Sequence, residues 1–264
     1  MTTRRTVLAA GAGLGAAAVT SGVPSADAQT APKTFVLVHG AWHGGWCWRR
    51  VADILERKGH KVFAPTLTGL GERSHLMSRD INLDTHITDV VNVFKWEDLK
   101  DAVLVGHSYG GWVISGAAEQ VLPRLASIVF LDAFMPDNAT RGLDNTSEFS
   151  RKGILAAMEK GEVSRPSPTA EMFEVNARDR AWVDSKVTPQ PVGVALQPIK
   201  LTGARDKVAK KTYIRAASYP QATFDKYLAI CKADKTWRTY EIPCGHDVMV
   251  DMPERLAEVL VEVG

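Results

Sequence analysis

The chain predicts one α/β domain in which a mostly parallel sheet carries helices on both faces. Three observations lead there. Continuous apolar runs of strand type alternate with helical patterns along most of the chain, and such alternation buries a parallel sheet between two helical layers. With 264 residues, 45% hydrophobic and 23% charged, there is material for one sizeable core plus a small inserted cap. Third, the run Ala102-Val103-Leu104-Val105 passes through Gly106-His107-Ser108-Tyr109-Gly110-Gly111 into a Trp/Val/Ile/Ala-rich stretch, the strand, sharp turn and helix of a G-x-S-x-G nucleophile elbow.

The elements follow in order. Thr34-Phe35-Val36-Leu37-Val38 is a strand ending in His39-Gly40-Ala41, and Trp46 to Lys58 has helical spacing. Lys61-Val62-Phe63-Ala64 is a short strand closed by Pro65, and Asp84 to Phe94 is a helix. The elbow helix runs from Gly111 to Gln120, and Ala126 to Leu131 is the next strand. From Met135 to about Asp206 the alternation breaks into Pro, Asn, Ser and Thr among short helical pieces, Lys152 to Lys160 and Ala170 to Trp182; this stretch predicts an inserted helical cap. The pattern returns with the strand Lys211 to Arg215, a helix from Gln221 to Ala233, the strand Trp237 to Ile242, then His246 and a final helix from Pro253 to Val263.

A formal charge of +2 leaves no basic excess for nucleic acid or acidic lipid, and a small-molecule ligand is expected. The three cysteines, Cys47, Cys231 and Cys244, show neither a C-x-x-C pair nor a zinc spacing, so neither a metal site nor a disulfide framework is signalled. Thr3-Arg4-Arg5-Thr6 opens an Ala/Gly stretch to Val23, and Ala26-Asp27-Ala28 offers a small-x-small cleavage site. Residues 1–28 therefore read as a twin-arginine export signal, with residues 29–264 as the exported domain, periplasmic or secreted. The apolar stretch falls short of the roughly 20 residues that a membrane span needs, so no stable membrane insertion is expected. Nothing in the sequence reads out the oligomeric state.

A serine hydroxyl needs a base within hydrogen-bond reach, so Ser108 calls for a histidine at a late strand-to-helix junction. His246, in Cys244-Gly245-His246-Asp247, occupies that place. Acyl transfer also needs donors aimed at a developing oxyanion. The backbone N–H groups of Tyr109, just after the nucleophile, and of Ala41, where the first strand ends, are the candidates. His107 is expected to turn away from the substrate; His39 and His43 flank a turn, and His60, His75 and His86 show no partner motif. Trp42 is the aromatic residue most exposed to substrate by position, with Phe134, Met135 and the cap residues Met158, Met172 and Trp182 as further apolar walls. Arg73, His75 and Leu76 form a loop that can pass near the site.

Taken together, FVLVHGAWHGGWCW, GHKVFAPTLTGLGERSH, GHSYGG, VFLDAFMPD and the terminal GHD resemble the α/β-hydrolase branch that holds plant methylesterases and hydroxynitrile lyases. Within that branch the likeness is nearer to bacterial pyrethroid esterases and carbendazim (carbamate) hydrolases. The resemblance implies an α/β-hydrolase fold, a cofactor-free serine hydrolase and a helical cap. The lyases carry a threonine where this chain has Gly40 and a lysine where it has Asp247, which disfavours cyanohydrin cleavage. The plant relatives also place the triad acid after the strand matching Lys211 to Arg215, yet here Ala216-Ala217-Ser218-Tyr219-Pro220 contains no carboxylate. Haloalkane dehalogenases and zearalenone hydrolases carry it one strand earlier, a position that Asp132 matches; Asp137 and Asp225 are weaker candidates. The expected function is cleavage of small, mainly apolar carboxylic esters or carbamates through an acyl-enzyme. The alternatives are a C–C lyase, or a non-catalytic binding protein on a hydrolase scaffold.

Overall fold

The computed structural model describes residues 31–264; the expected export signal lies outside them. β1 (Thr34–Val38) leads through a 3-10 turn at Gly45–Trp48 into α1 (Arg49–Arg57), then β2 (Lys61–Phe63), α2 (Leu83–Trp96), β3 (Ala102–His107), α3 (Gly110–Val121) and β4 (Leu125–Leu131). An excursion carries α4 (Glu148–Glu159), β5 (Ser164–Arg165), α5 (Arg180–Asp184), β6 (Gln190–Pro191) and α6 (Ala204–Lys207). The main layer resumes with β7 (Lys210–Ala216), α7 (Ala222–Ala233), β8 (Trp237–Ile242), α8 (Val248–Asp251) and α9 (Pro253–Val263).

Six strands form one sheet in the order β2-β1-β3-β4-β7-β8, every neighbouring pair parallel. The central strands β1, β3 and β4 are nearly continuous apolar runs because both of their faces are covered, whereas β7 and the edge strand β8 carry charged residues. Phe35, Leu37, Val103, Val105, Val129 and Leu131 point to one face, where α1 and α9 pack. Val36, Val38, Leu104, Ile128 and Phe130 point to the other, against α2 and α3. α9 keeps Leu256, Val259, Leu260 and Val263 inward at helical spacing. The predicted helix from Asp84 to Phe94 spans Leu83–Trp96, and its start is fixed by a cap at Asn82: Asn82 Oδ1 accepts the Thr85 N–H at 3.1 Å, and the Thr85 hydroxyl accepts the Asn82 N–H at 3.3 Å.

One element differs from the sequence expectation. Ala170 to Trp182 is not a helix but a series of turns, with helix only over Arg180–Asp184. The backbone there is committed elsewhere: the Phe173 carbonyl accepts the His246 N–H at 2.9 Å, the Ala170 N–H donates to Asp184 Oδ1 at 2.7 Å, and Glu174 takes a left-handed φ of 57°. Tertiary hydrogen bonding outweighs a weak local helix preference. β5 and β6, absent from the sequence reading, pair antiparallel, with Arg165 opposite Gln190.

β1 crosses to β2 on one side and the chain then returns to β3 on the other. A crevice opens at the carboxyl ends of parallel strands where the order reverses in this way. Ala41 and Ser108 follow those two strands.

Candidate active site

Ser108 stands between β3 and α3 with a left-handed φ of 52°, a conformation an L-residue holds only when its surroundings enforce it. The surroundings here leave room for glycine alone. A Cβ on Gly106 would come within 2.7 Å of the Gly110 carbonyl oxygen, and one on Gly110 within 2.8 Å of the Val38 carbonyl oxygen. The Ser108 N–H donates to Leu131 O at 3.2 Å, and Ser108 O accepts from Gly111 and Phe134. Its hydroxyl has no protein hydrogen-bond partner among the described residues and faces a cavity of about 300 Å³, a size that suits a small organic ligand.

His246 lines the same cavity. Its Nδ1–H donates to Asp132 Oδ2 at 2.6 Å, so the partner assigns the proton to Nδ1 and leaves Nε2 as the acceptor. No hydrogen bond joins the imidazole to Ser108 among the described residues; such bonds are often long without substrate and tighten when it binds. Tyr219 stacks on the imidazole at 4.5 Å between ring centroids, with Phe224 at 5.7 Å. Asp132, fully buried and at φ 42°, is also held from behind. Its Oδ1 accepts from Arg215 Nη1 at 2.7 Å and from the Ala216 N–H at 3.1 Å. The Arg215 guanidinium, itself buried, donates further to Asp225 Oδ1 at 2.9 Å and to the carbonyls of Ala216 and Tyr219. Asp225, an alternative acid by sequence, is thus a mostly exposed partner of Arg215 rather than of the histidine. Asp137 has no side-chain contact with His246.

The N–H groups of Ala41 and Tyr109 carry no hydrogen bond to a described residue, and both residues line the cavity. Tyr109 caps the N-terminus of α3, where unpaired N–H groups and the helix dipole favour negative charge. The Trp42 N–H is committed to Gln190 Oε1 at 2.8 Å. Trp42 also has a left-handed φ, 65°, so three residues around the site hold strained backbone. Gly40 leaves no space for a side chain: a Cβ would lie 2.9 Å from His107 Nδ1 and 3.0 Å from Ser108 Cβ.

Behind the cavity, several buried histidines are engaged in hydrogen bonds. His43 donates Nδ1–H to Ala41 O at 2.8 Å and Nε2–H to Asp247 Oδ2 at 2.9 Å, and two donated protons make it an imidazolium. Burial pulls its pKa down, but the Asp247 charge and hydrogen bond outweigh burial and raise it. Asp247, also buried, is likewise penalised by burial, yet His43 holds it at about 2. His107 turns away from the cavity, and its Nε2–H donates to His246 O at 3.0 Å. His86 donates Nε2–H to Thr68 O at 2.9 Å and accepts from the Tyr109 hydroxyl at 3.0 Å.

Trp42 and Phe134 line the cavity, joined by Met172 and Phe173. Met135 does not: it is buried in the core, its Sδ 3.7 Å from Cys231 Sγ, because the chain after Phe134 turns inward towards α7. Met158 is exposed on α4, Trp182 packs edge-on against Trp46, and Arg73 is tied to Asp89 and Thr66 O, so none of these forms a wall. All three cysteines are free and buried. Arg215, Tyr219, Arg165 and Gln190 went unnoticed in the sequence. None of them left a distinct signal: β7 reads Lys-Lys-Thr-Tyr-Ile-Arg-Ala, so Arg215 is one of three cations in its strand.

The alpha/beta hydrolase family model matches residues 35–259. The carbendazim-hydrolyzing esterase of Nocardioides sp. (strain SG-4G) is 40% identical over 240 residues, covering 87% of this chain and 99% of that protein. An extracellular alpha/beta-hydrolase from a Paenibacillus species, described as sharing structural and functional homology with tobacco salicylic acid binding protein 2, superposes with a TM-score of 0.76 at 26% identity, over 88% of this chain and 99% of its own. A pyrethroid hydrolase from Sphingobium faniae JZ-2 shares the fold, with a TM-score of 0.67 at 21% identity over 87% of this chain and 96% of its own. With its six-stranded parallel sheet and serine elbow, the chain is a hydrolase that belongs to the alpha/beta hydrolase family.

Proposed function

We propose that the protein is a serine esterase that cleaves small, mainly apolar carboxylic esters or carbamates through an acyl-enzyme. The observation that carries this reading is the Asp132–His246 pair at 2.6 Å, opening on the same cavity as Ser108. In the proposed reaction His246 Nε2 removes the Ser108 hydroxyl proton as Oγ attacks the carbonyl carbon. The tetrahedral oxyanion is received by the free N–H groups of Ala41 and Tyr109, each such donor supplying on the order of 3 kcal/mol. The imidazolium, stabilised by Asp132, then protonates the leaving alcohol or amine. Water repeats the sequence on the acyl-enzyme and releases the acid. A relative that hydrolyses carbendazim brings carbamates within the substrate range, and the walls of Trp42, Trp112, Phe134 and Phe173 suit the flat apolar portions of a substrate.

The test is hydrolysis of p-nitrophenyl acetate and butyrate by the wild type beside Ser108→Ala. A burst followed by steady turnover is expected from the wild type, with kcat at least about 10⁴-fold lower in the variant. Equal turnover by both proteins, or none by either, would remove the serine mechanism.

The export reading rests on Arg4-Arg5 and Ala26-Asp27-Ala28. A neighbour in fold described as extracellular is in keeping with it. Expression of the full chain with Arg4→Lys/Arg5→Lys, followed by fractionation, is expected to leave the protein in the cytoplasm as an unshortened chain. Unimpaired export and cleavage of that variant would sink the twin-arginine route.

A further inference from the structure

The excursion between β4 and β7 delivers one charge to the cavity. Arg165 of β5 stands opposite Gln190 of β6 in an antiparallel pair, and directly opposed residues project from the same face of a ribbon. Both side chains meet Trp42: Gln190 Oε1 accepts the Trp42 N–H, and the Arg165 guanidinium lies over the indole at 4.3 Å from the ring centroid. Among the described residues no carboxylate lies within 4 Å of that guanidinium and none accepts a hydrogen bond from it. Arg165 is the one arginine among the described residues lining the cavity, and Arg215, behind Asp132, is committed to Asp132 and Asp225. Neither aspartate nor glutamate lines the cavity.

The neighbours of Arg165 deepen the shortage of acceptors. Trp42 Nε1 and Gln190 Nε2 are buried donors without a partner among the described residues. Burial by itself draws the guanidinium down to about 10, with no charged neighbour to offset it, and it remains a cation at pH 7. A desolvated arginine beside idle donors suits a planar acceptor that takes two parallel N–H bonds.

We propose that Arg165 is the anion-recognition point of this cavity, and that the preferred substrates are esters or carbamates bearing a free carboxylate, which sits on Arg165 along Trp42 while the scissile carbonyl sits at Ser108. This rests on the esterase reading and specifies its substrate class. The cation–π contact with Trp42 holds the guanidinium over the indole; the carboxylate supplies the counter-charge it lacks.

The experiment compares matched pairs of substrates. The first are the 4-nitrophenyl monoesters of succinate, glutarate and adipate against neutral 4-nitrophenyl alkanoates of equal length, which place the carboxylate in the acyl half. The second pair, 4-carboxyphenyl pentanoate against phenyl pentanoate, places it in the leaving half. In at least one pair the wild type is expected to favour the anion. There Arg165→Met is expected to lower the anion-to-neutral ratio of kcat/KM by about 30-fold, chiefly through KM, with Arg165→Lys retaining part of it. An unchanged ratio in every pair, including a uniform loss on anion and neutral alike, would overturn the proposal and leave Arg165 as a support for Trp42. Absence of Ser108-dependent turnover on all substrates would count against the esterase reading instead. Calorimetric binding of benzoate against benzamide to Ser108→Ala, with and without Arg165→Met, then decides the subsite. A preference for benzoate that disappears with the arginine upholds it, and equal affinities overturn it.

Discussion

Asp132 accepts from two cationic or potentially cationic side chains at once, the Arg215 guanidinium on Oδ1 and the His246 imidazole on Oδ2. In the proposed mechanism the aspartate orients the histidine, and the arginine orients the aspartate while drawing off part of its charge. Asp132→Asn is therefore expected to lower kcat by about 10⁴-fold, because the amide stabilises the wrong imidazole tautomer. Asp225→Asn, at a mostly exposed partner of Arg215, should stay within a few-fold. Arg215→Met removes a cation from a fully buried carboxylate and should lower stability by about 3 kcal/mol. It also strengthens the hold of Asp132 on the imidazolium, so the acidic limb of the kcat/KM profile should move to higher pH. A stability loss with no movement of that limb would reduce Arg215 to a packing role.

At the scale of elements, the site is a meeting of four strand ends. β1 brings Ala41, β3 brings Ser108, β4 brings Asp132 and β8 is followed by His246. The turns Gly106 to Gly110 hold the serine only because β3, α3 and the end of β1 nearly touch there. Gly106→Ala puts a methyl 2.7 Å from the Gly110 carbonyl oxygen and 2.8 Å from Ile114 Cδ1. The backbone contact cannot relax by a rotamer change. We expect a loss of about 1–3 kcal/mol in urea unfolding, together with a fall in kcat larger than that in binding, since the strained φ of Ser108 depends on the same contacts. Preserved kcat in a folded Gly106→Ala protein would show that the elbow tolerates a shift.

Over the whole molecule, buried histidines set the response to acid. His39 donates Nδ1–H to Gly40 O at 2.8 Å and accepts the Leu67 N–H on Nε2 at 3.0 Å, so protonation would set two donors face to face. Burial, the largest influence, takes its pKa down to about 3, that of His86 to about 4, and that of His107 well below the ordinary value of 6.5. These folded-state values lie below the unfolded ones, so the unfolded chain binds more protons as pH falls below about 6.5. Each group then removes about 1.4 kcal/mol per pH unit. His43 runs the other way: its pKa is raised, so it contributes fully below 6.5 and loses that contribution as pH rises through the folded value. Urea unfolding between pH 6.5 and 4.5 should show an uptake approaching three protons, reduced by about one in His39→Gln. Stability that is flat across this window would mean these histidines are charged in the folded state.

The parallel sheet and its helices were legible in the amino-acid order because the central strands β1, β3 and β4, covered on both faces, are apolar at nearly every position, and Ser108 because a strained turn between closely packed backbones admits little but glycine. Ala170 to Trp182 misread as helix, since its preference is weak and Phe173 is needed to hold His246. Met135 misread as a wall, since adjacency to Phe134 does not say which way a loop turns. Arg215 behind Asp132, Arg165 over Trp42 and the His43–Asp247 pair join residues 83, 123 and 204 positions apart. Local composition and periodicity determine elements and strained turns; which polar groups share a low-dielectric interior, and which cation is left without a counter-charge, is decided only when distant strand ends and the ribbon above them come together.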